Sequence, residues 1–201
     1  MTRTRFIYSK RHGACFVPHI ALAQIFSRSA RRAGIELEMT QGFSPRAKIS
    51  FGPELPAGVV ALNECVDMFL LLQDLNNHNN LIDDMNNSLP EGFSISRVIF
   101  PDEDSPSLGK LCRHAEYLLR SSNLTCEDLI QHAKNFYNAS IIKSENQDSW
   151  LRIILSEPAQ NPIGGLVKNM ISENIINGWH EINIVRVSIG KYNHESDKVS
   201  L

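Results

Sequence analysis

The sequence has few cysteines and no long apolar run. Its four cysteines, Cys15, Cys65, Cys112 and Cys126, are scattered, and no two of them form a Cys-x-x-Cys pair. This spacing excludes a self-contained iron–sulfur motif and is typical of reduced, mostly buried thiols in a cytosolic protein. No stretch approaches the roughly 18 apolar residues of a membrane-spanning helix, and no signal peptide opens the chain. We therefore expect a cytoplasmic protein with no membrane partner.

Sequence motifs that hold nucleotides are missing as well. The chain has neither a Walker A loop nor a dinucleotide-binding fingerprint, so nothing in it supports a mononucleotide site. A Gly-Gly pair at 164–165 has no lysine or fingerprint around it, and we interpret it as a position of close packing. We predict no metal and no cofactor for this chain.

Charge, in contrast, is present in quantity and unevenly distributed. The 201 residues have a net charge of −2. Residues 1–50 contain nine basic and two acidic residues, a net +7, so the other 151 residues sum to −9. The asymmetry predicts either a polyanionic partner for the first part of the chain or docking between the two parts.

The apolar pattern and the turn residues predict a β-α-β-β-α-β order that occurs twice. The first set has strands at 3–9, 35–39, 64–73 and 93–100 and helices at 19–33 and 76–89. The second has strands at 115–120, 140–143, 150–156 and 181–189 and helices at 125–137 and 162–176. We therefore predict an α+β fold of two tandem ferredoxin-like units, each with its own antiparallel-rich sheet and helices on one face. The predicted bounds are a basic unit at 1–101, an acidic linker at 102–111 and an acidic unit at 112–201.

The stretch TQGFSPRAKISFGPELPAG, residues 40–58, contains three glycines and three prolines beside two cations. Gly42 permits a positive φ, and the alternation along a strand would project Arg46 and Lys48 from one face. Such a loop predicts a phosphate site, with Phe43 as a ring on which a base can stack. The alternative is a structural hairpin in which Phe43 joins the core and Arg46 is solvated.

The helix predicted at 19–33 has an apolar face and a basic face. Its apolar positions are Leu22, Ala23, Phe26, Ala30 and Ala33, and its cations on the other side are Arg28, Arg31 and Arg32. A basic helix face of this kind binds a nucleic-acid backbone. The alternative is a solvated face whose cations favour the C-terminal end of the helix.

Three further residues are candidates for chemistry. His19 lies where a strand meets a helix, a position used for acid–base cleavage of RNA by CRISPR repeat-processing endonucleases, which is an analogy of fold alone. The alternative is a structural histidine. Glu64 and Asp67 form an E-x-x-D pair, and residues three apart in a strand point to opposite faces, so they are poor joint metal ligands. We interpret one of them as the partner of an arginine; the alternative is a catalytic carboxylate, as in pseudouridine synthases.

Several of these segments together resemble the radical-SAM-linked protein family. The residues concerned are a strand, FVPHIALAQIFSRSARRAG, TQGFSPRAKISFGPELPAGV and NECVD, with the GF-x-P, LP-x-G and E-x-x-D runs at family-like spacing. The resemblance is dense over residues 3–72 and continues more thinly to about residue 190. One departure is at the helix start, usually Ser-His-Leu-Asp-Leu-x-Arg, where Ala21 and Gln24 replace the acid and the base.

The resemblance implies a partner and assigns no reaction. Members of the family are encoded beside, or fused behind, a radical S-adenosylmethionine (SAM) protein with a cobalamin-binding region. The present chain lacks the C-x-x-x-C-x-x-C cluster ligands, so the radical chemistry would belong to that partner. We therefore expect an accessory module that binds or presents RNA, for example transfer RNA. The alternatives are an RNA-acting enzyme with His19 as general base, and a protein–protein adaptor.

Overall fold

A computed structural model describes residues 2–71 and 78–201. Within these ranges the chain forms nine strands: β1 (Thr2–Lys10), β2 (Ile49–Phe51), β3 (Val60–Leu70), β4 (Phe93–Ile99), β5 (His114–Ser121), β6 (Ile141–Gln147), β7 (Trp150–Ser156), β8 (Ile182–Asn193) and β9 (Lys198–Ser200). The helices are α1 (His19–Arg32), α2 (His78–Ser88), α3 (Leu108–Leu111), α4 (Cys126–Tyr137) and α5 (Ile163–Ser172). The ends of the strand predicted at 64–73 and of the helix predicted at 76–89 fall partly on residues 72–77, outside the described ranges.

All nine strands belong to one mixed sheet. Its main order is β4-β1-β3-β8-β5-β7-β6, with β2 beside β3 and β9 beside β8. The β3–β8 pair is parallel, with Val60 opposite Val185 and Ala61 opposite Arg186, and the other pairs are antiparallel. The α+β class is confirmed, but the prediction of two separate sheets is wrong. β2 pairs with β3 only at residues 66–68 of β3. The first residues of β3 on the same edge are therefore available to pair with β8.

The two halves of the chain, residues 2–101 and 112–201, place their strands in the same order. In the first half the sheet runs β4-β1-β3-β2, and in the second half it runs β8-β5-β7-β6. The fourth strand therefore lies next to the first, and the third next to the second, in each half. The segment predicted as a strand at 35–39 forms two isolated bridges, Leu37–Leu70 and Met39–Ala47, and β2 serves as the second strand.

Two apolar cores lie under the helices, and the larger one also contains residues of the first half, such as Val59 and Ala61. Phe6, Phe26, Met68 and Met85 belong to the core under α1 and α2, and residues of α4 and α5 form the larger core over β5, β7 and β8. Leu22, Phe26 and Ala30, four residues apart, are the buried stripe of α1. Ala23, predicted on that stripe, is exposed.

The predicted linker at 102–111 packs against the rest of the molecule. Leu108 and Leu111 of α3 are buried in the larger core. The guanidinium of Arg3 donates to the carbonyl oxygens of Asp102 at 3.0 Å and of Ser105 at 2.8 Å. These contacts hold the segment against β1, and the division of the chain at residues 102–111 stays a prediction. Among the described helices, none is long and apolar enough to cross a membrane.

Candidate functional site

A hairpin projects from the sheet beyond the C-terminal end of α1. The amide of Thr40 donates to the Arg46 carbonyl at 2.7 Å, and the amide of Lys48 donates to the Glu38 carbonyl at 2.7 Å. At the tip, Gly42 has a φ of +135°, which glycine adopts readily. The Phe43 side chain is fully exposed, so its placement in the core is wrong, whereas Arg46 is exposed, as the structural-hairpin alternative predicts. We call residues 38–48 the basic hairpin.

An apolar groove separates the basic hairpin from α1. Its volume is about 440 Å³, and Arg31 lies on its helix side while Met39 and Ala47 line its hairpin side. Ile35, Leu37 and Leu71 complete its apolar lining. The groove therefore offers an apolar surface with one cation, Arg31, among its lining residues.

The two cations of the basic hairpin, Arg46 and Lys48, lie on the face away from the groove. Lys48 lines a different groove, together with Arg3 and Phe69. Its ammonium lies 3.3 Å from a carboxylate oxygen of Glu38 and 4.2 Å from the centre of the Phe69 ring. Arg46 is exposed, and strand alternation puts it on the Lys48 side. Cations thus flank the hairpin on both faces, and the positive charge of Lys48 is partly balanced.

The three predicted arginines of α1 have different environments. Arg32 donates to the Ser29 hydroxyl at 3.0 Å and, in a shorter contact, to the carbonyl of Ser88 at the end of α2. Arg32 of α1 therefore joins the two helices. Its positive charge lies at the C-terminal end of α2, where it is favourable for the dipole of that helix. Arg28 and Arg31 are exposed, and Arg31 borders the apolar groove.

Asp67 and Glu64 are both bound to buried arginines. Both oxygens of Asp67 accept from Arg5, at 2.7 and 2.9 Å. Glu64 accepts from Arg186 of β8, with 2.6 Å between the Arg186 Nε and Oε1. The same guanidinium donates to the carbonyls of Pro53 at 2.9 Å and Glu54 at 3.2 Å. Burial opposes the charge of Arg186, but the attraction of Glu64 outweighs it and raises the pKa of Arg186 above its usual value.

Sequence reasoning missed Arg186, which joins the two halves. The signal was available in the strand INIVRVSIG, where Ile182, Ile184 and Arg186 share one face. A cation on an otherwise apolar face needs a buried counter-charge, and Glu64 supplies it from the other half.

Three more polar side chains lie around a small cavity beside this ion pair. Tyr8, Lys10, His19, Glu64 and Arg186 line a cavity of about 10 Å³, which Leu22 and Leu55 close. We call these five residues the central polar cluster. Its residues come from β1, α1 and β3 of the first half and from β8 of the second.

Outside the Arg186–Glu64 pair, the basic members of the cluster are Lys10 and His19. Lys10 is only 2% exposed, and its ammonium donates to the Val17 carbonyl at 3.2 Å. Burial lowers the pKa of Lys10. His19 is the first residue of α1, and its ring meets the edge of the Phe51 ring at 5.6 Å. Burial also lowers the pKa of His19.

We expect the His19 imidazole to titrate below the usual histidine pKa of about 6.5. The folded state then binds fewer protons than the unfolded state between the two pKa values, so stability rises with pH across that interval and is lower below it. Proton NMR titration of the imidazole signals, assigned with a His19→Asn variant, measures the midpoint. A midpoint at or above that of free histidine contradicts the expectation.

The thiols and acids form no metal site within residues 2–71 and 78–201, where no group of three His, Cys, Asp or Glu side chains is close enough to hold an ion. Cys65 and Cys112 are buried with their sulfur atoms 3.6 Å apart. Cys15 is buried, and Cys126 is partly buried.

Comparison with known proteins gives one family. No curated protein matches the chain. A family model described as "Uncharacterized protein conserved in bacteria (DUF2344)" matches residues 3–150. The matched range covers the basic hairpin and all residues of the central polar cluster except Arg186. The chain therefore belongs to the DUF2344 family of uncharacterized proteins conserved in bacteria.

Proposed function

We propose that this protein is an RNA-binding accessory module of a radical SAM enzyme, with a structured RNA such as transfer RNA as ligand. The observation that carries the RNA part is the basic hairpin, whose tip holds a fully exposed Phe43. Arg46 is exposed on one face of the hairpin, and Arg31 of α1 lies across the groove from the other. An exposed ring stacks on any unpaired base, and each such contact contributes about 1–3 kcal/mol. Sequence-specific contacts with RNA fall mostly in loops and bulges, where bases are unstacked.

The groove beside the hairpin supports the same proposal. Its lining is apolar except at Ser27, Arg31 and Glu36, so it suits the face of a base with a phosphate near Arg31. Arg46 on the other face of the hairpin and Arg28 on α1 are exposed, and both are available to phosphate oxygens. Arg32 and Lys48 already have protein partners, and we assign them smaller parts in binding.

Other observations support the two remaining parts of the proposal, which are the radical SAM partner and the two ferredoxin-like units. The radical SAM partner rests on the sequence resemblance, with the cluster, the S-adenosylmethionine and the radical chemistry on the partner. The shared strand order of the two halves supports two ferredoxin-like units that have merged their sheets. In this proposal the basic unit holds the RNA and the acidic unit docks the partner.

The proposal predicts a salt-dependent loss of binding when Arg31 and Arg46 are both replaced by alanine. Each phosphate contact releases counterions, so log K falls with log salt by about 0.7 for each contact with single-stranded RNA. The double variant should bind bulk transfer RNA more weakly and show a slope flatter by about 0.7 for each lost contact. Salt-titrated fluorescence anisotropy of wild type and variant measures both quantities.

A matched control removes two charges from the second half. Lys134 of α4 and Lys168 of α5 are exposed, and a Lys134→Ala/Lys168→Ala variant has the same net charge as the test variant. We expect the control to keep the wild-type affinity and slope. If the test variant and the wild type bind equally, with equal slopes, the RNA proposal fails and the protein–protein adaptor remains.

A further inference from the structure

Two buried thiols lie in contact at the junction of the two halves. Cys65 belongs to β3 of the first half, and Cys112 directly follows α3, at the start of the second half. They are 1% and 3% exposed, and their sulfur atoms are 3.6 Å apart. Neither thiol lies in the basic hairpin or its groove, so the proposed RNA binding gives this pair no role.

The other two cysteines have different surroundings. The Cys15 thiol donates to the Lys10 carbonyl at 3.5 Å, and Cys126 is the first residue of α4. A free cysteine often packs as a small apolar residue, so the burial of each thiol has an ordinary explanation. Packing alone does not require the sulfurs of Cys65 and Cys112, which are 47 positions apart in the chain, to touch each other.

The geometry lets these two sulfurs bond after a small movement. A disulfide is about 2.05 Å long, so the sulfurs must approach each other by about 1.5 Å. A Cβ placed at Gly52 would lie 3.4 Å from the Cys65 sulfur and 3.6 Å from the Cys112 sulfur. Because glycine has no side chain there, the two thiols have space to rotate. α3 has only four residues, so the Cys112 side of the pair can adjust.

We infer that Cys65 and Cys112 form an intramolecular disulfide when the protein meets hydrogen peroxide, and that this bond locks α3 onto β3. One sulfur attacks a peroxide oxygen and breaks the O–O bond, which gives a sulfenic acid and water. The other sulfur then attacks the sulfenic sulfur, forms the S–S bond and releases a second water. The two thiols lose two electrons and two protons, and one peroxide is reduced to two waters.

The burial of the pair decides which oxidants reach it. Hydrogen peroxide is close to water in size, whereas a disulfide such as oxidised glutathione is too large to contact either sulfur in the folded chain. The hydrogen bond with Cys112 and burial raise the pKa of Cys65, so thiolate is scarce and the reaction is slow. The pair therefore stays reduced in a reducing compartment and responds to peroxide. The inference does not depend on RNA binding.

The test is peroxide treatment of the folded full chain, followed by alkylation of the remaining thiols in denaturant and mass spectrometry. We expect two of the four thiols to escape alkylation, and a linked peptide pair that contains Cys65 and Cys112. Dithiothreitol, added after unfolding, should restore both thiols. The variant Cys15→Ser/Cys126→Ser keeps the pair and should form the linkage as the wild type does. Oxidised protein without a Cys65–Cys112 linkage overturns the inference.

The locking of α3 has its own measurement. The amides of Lys110 and Leu111 donate to the Ser107 carbonyl, each at 3.0 Å, and they exchange with solvent when α3 opens. We expect the disulfide to slow this exchange by about tenfold or more, because it removes open conformations of the segment. Cys65→Ala/Cys112→Ala, treated with the same peroxide, should show no slowing. Equal exchange in the reduced and the linked wild type overturns the locking.

Discussion

Replacing Arg186 with alanine is expected to destabilise the protein by about 3–5 kcal/mol. The change leaves the Glu64 carboxylate buried, at 5% exposure, without the guanidinium that now binds both of its oxygens. It also removes the donors to the Pro53 and Glu54 carbonyls. Because Arg186 belongs to β8 and Glu64 to β3, the loss falls on the junction between the two halves. Urea unfolding, followed by circular dichroism, measures the change.

The companion variants identify the cause of the loss. Replacing a buried ion pair by apolar residues of similar size is often neutral or stabilising, so Glu64→Met/Arg186→Met should recover most of the stability lost in Arg186→Ala. Arg97→Ala, on the exposed side of β4, is the control and should change stability by less than about 0.5 kcal/mol. A double variant as unstable as Arg186→Ala would show that burial of an unpaired carboxylate is not the cause.

The elements of this fold were largely predictable, and their joining was not. Strong local patterns, such as the apolar stripe of α1 and the Thr125 cap of α4, place helices where the sequence predicts them. The strand pairing that joins the two halves consists of two opposed residue pairs, of which Ala61 and Arg186 are one. They lie more than a hundred positions apart, and no periodicity marks such a contact. The sequence therefore indicates repeated order within the halves but not the sheet they share.

In the candidate site, too, local features were predictable from the sequence and long-range contacts were not. The exposure of Phe43 and the positive φ of Gly42 follow from the chemistry of the loop, although the sequence also allowed Phe43 in the core. The pairing of Lys48 with Glu38 depends on the register of the hairpin, and the binding of Arg32 depends on where α2 ends. The burial of Lys10 beside His19 depends on how α1 and Leu55 close over the sheet. Local sequence predicts which residues can act, and packing decides which of them are already occupied.

Phe26→Ala is expected to cost about 3–5 kcal/mol and to lower the unfolding temperature by on the order of 10 °C. Phe26 is fully buried and meets the rings of Tyr8, Phe51 and Phe93 edge to face, at centroid distances of 4.9, 5.7 and 6.2 Å. The truncation leaves a cavity among three rings that β1, β2 and β4 hold in place. Calorimetry measures the shift.

Ile20→Ala is the matched control on the same helix. Ile20 is 89% exposed, so its truncation should change stability by less than about 0.5 kcal/mol. Phe26 also packs the middle of α1 against the sheet. His19 lies at one end of that helix and Arg31 near the other. A partial loss of folded structure in Phe26→Ala should therefore also weaken RNA binding, whereas Arg31→Ala/Arg46→Ala should weaken binding and leave stability unchanged. If Phe26→Ala keeps wild-type stability, α1 is not held by this ring cluster.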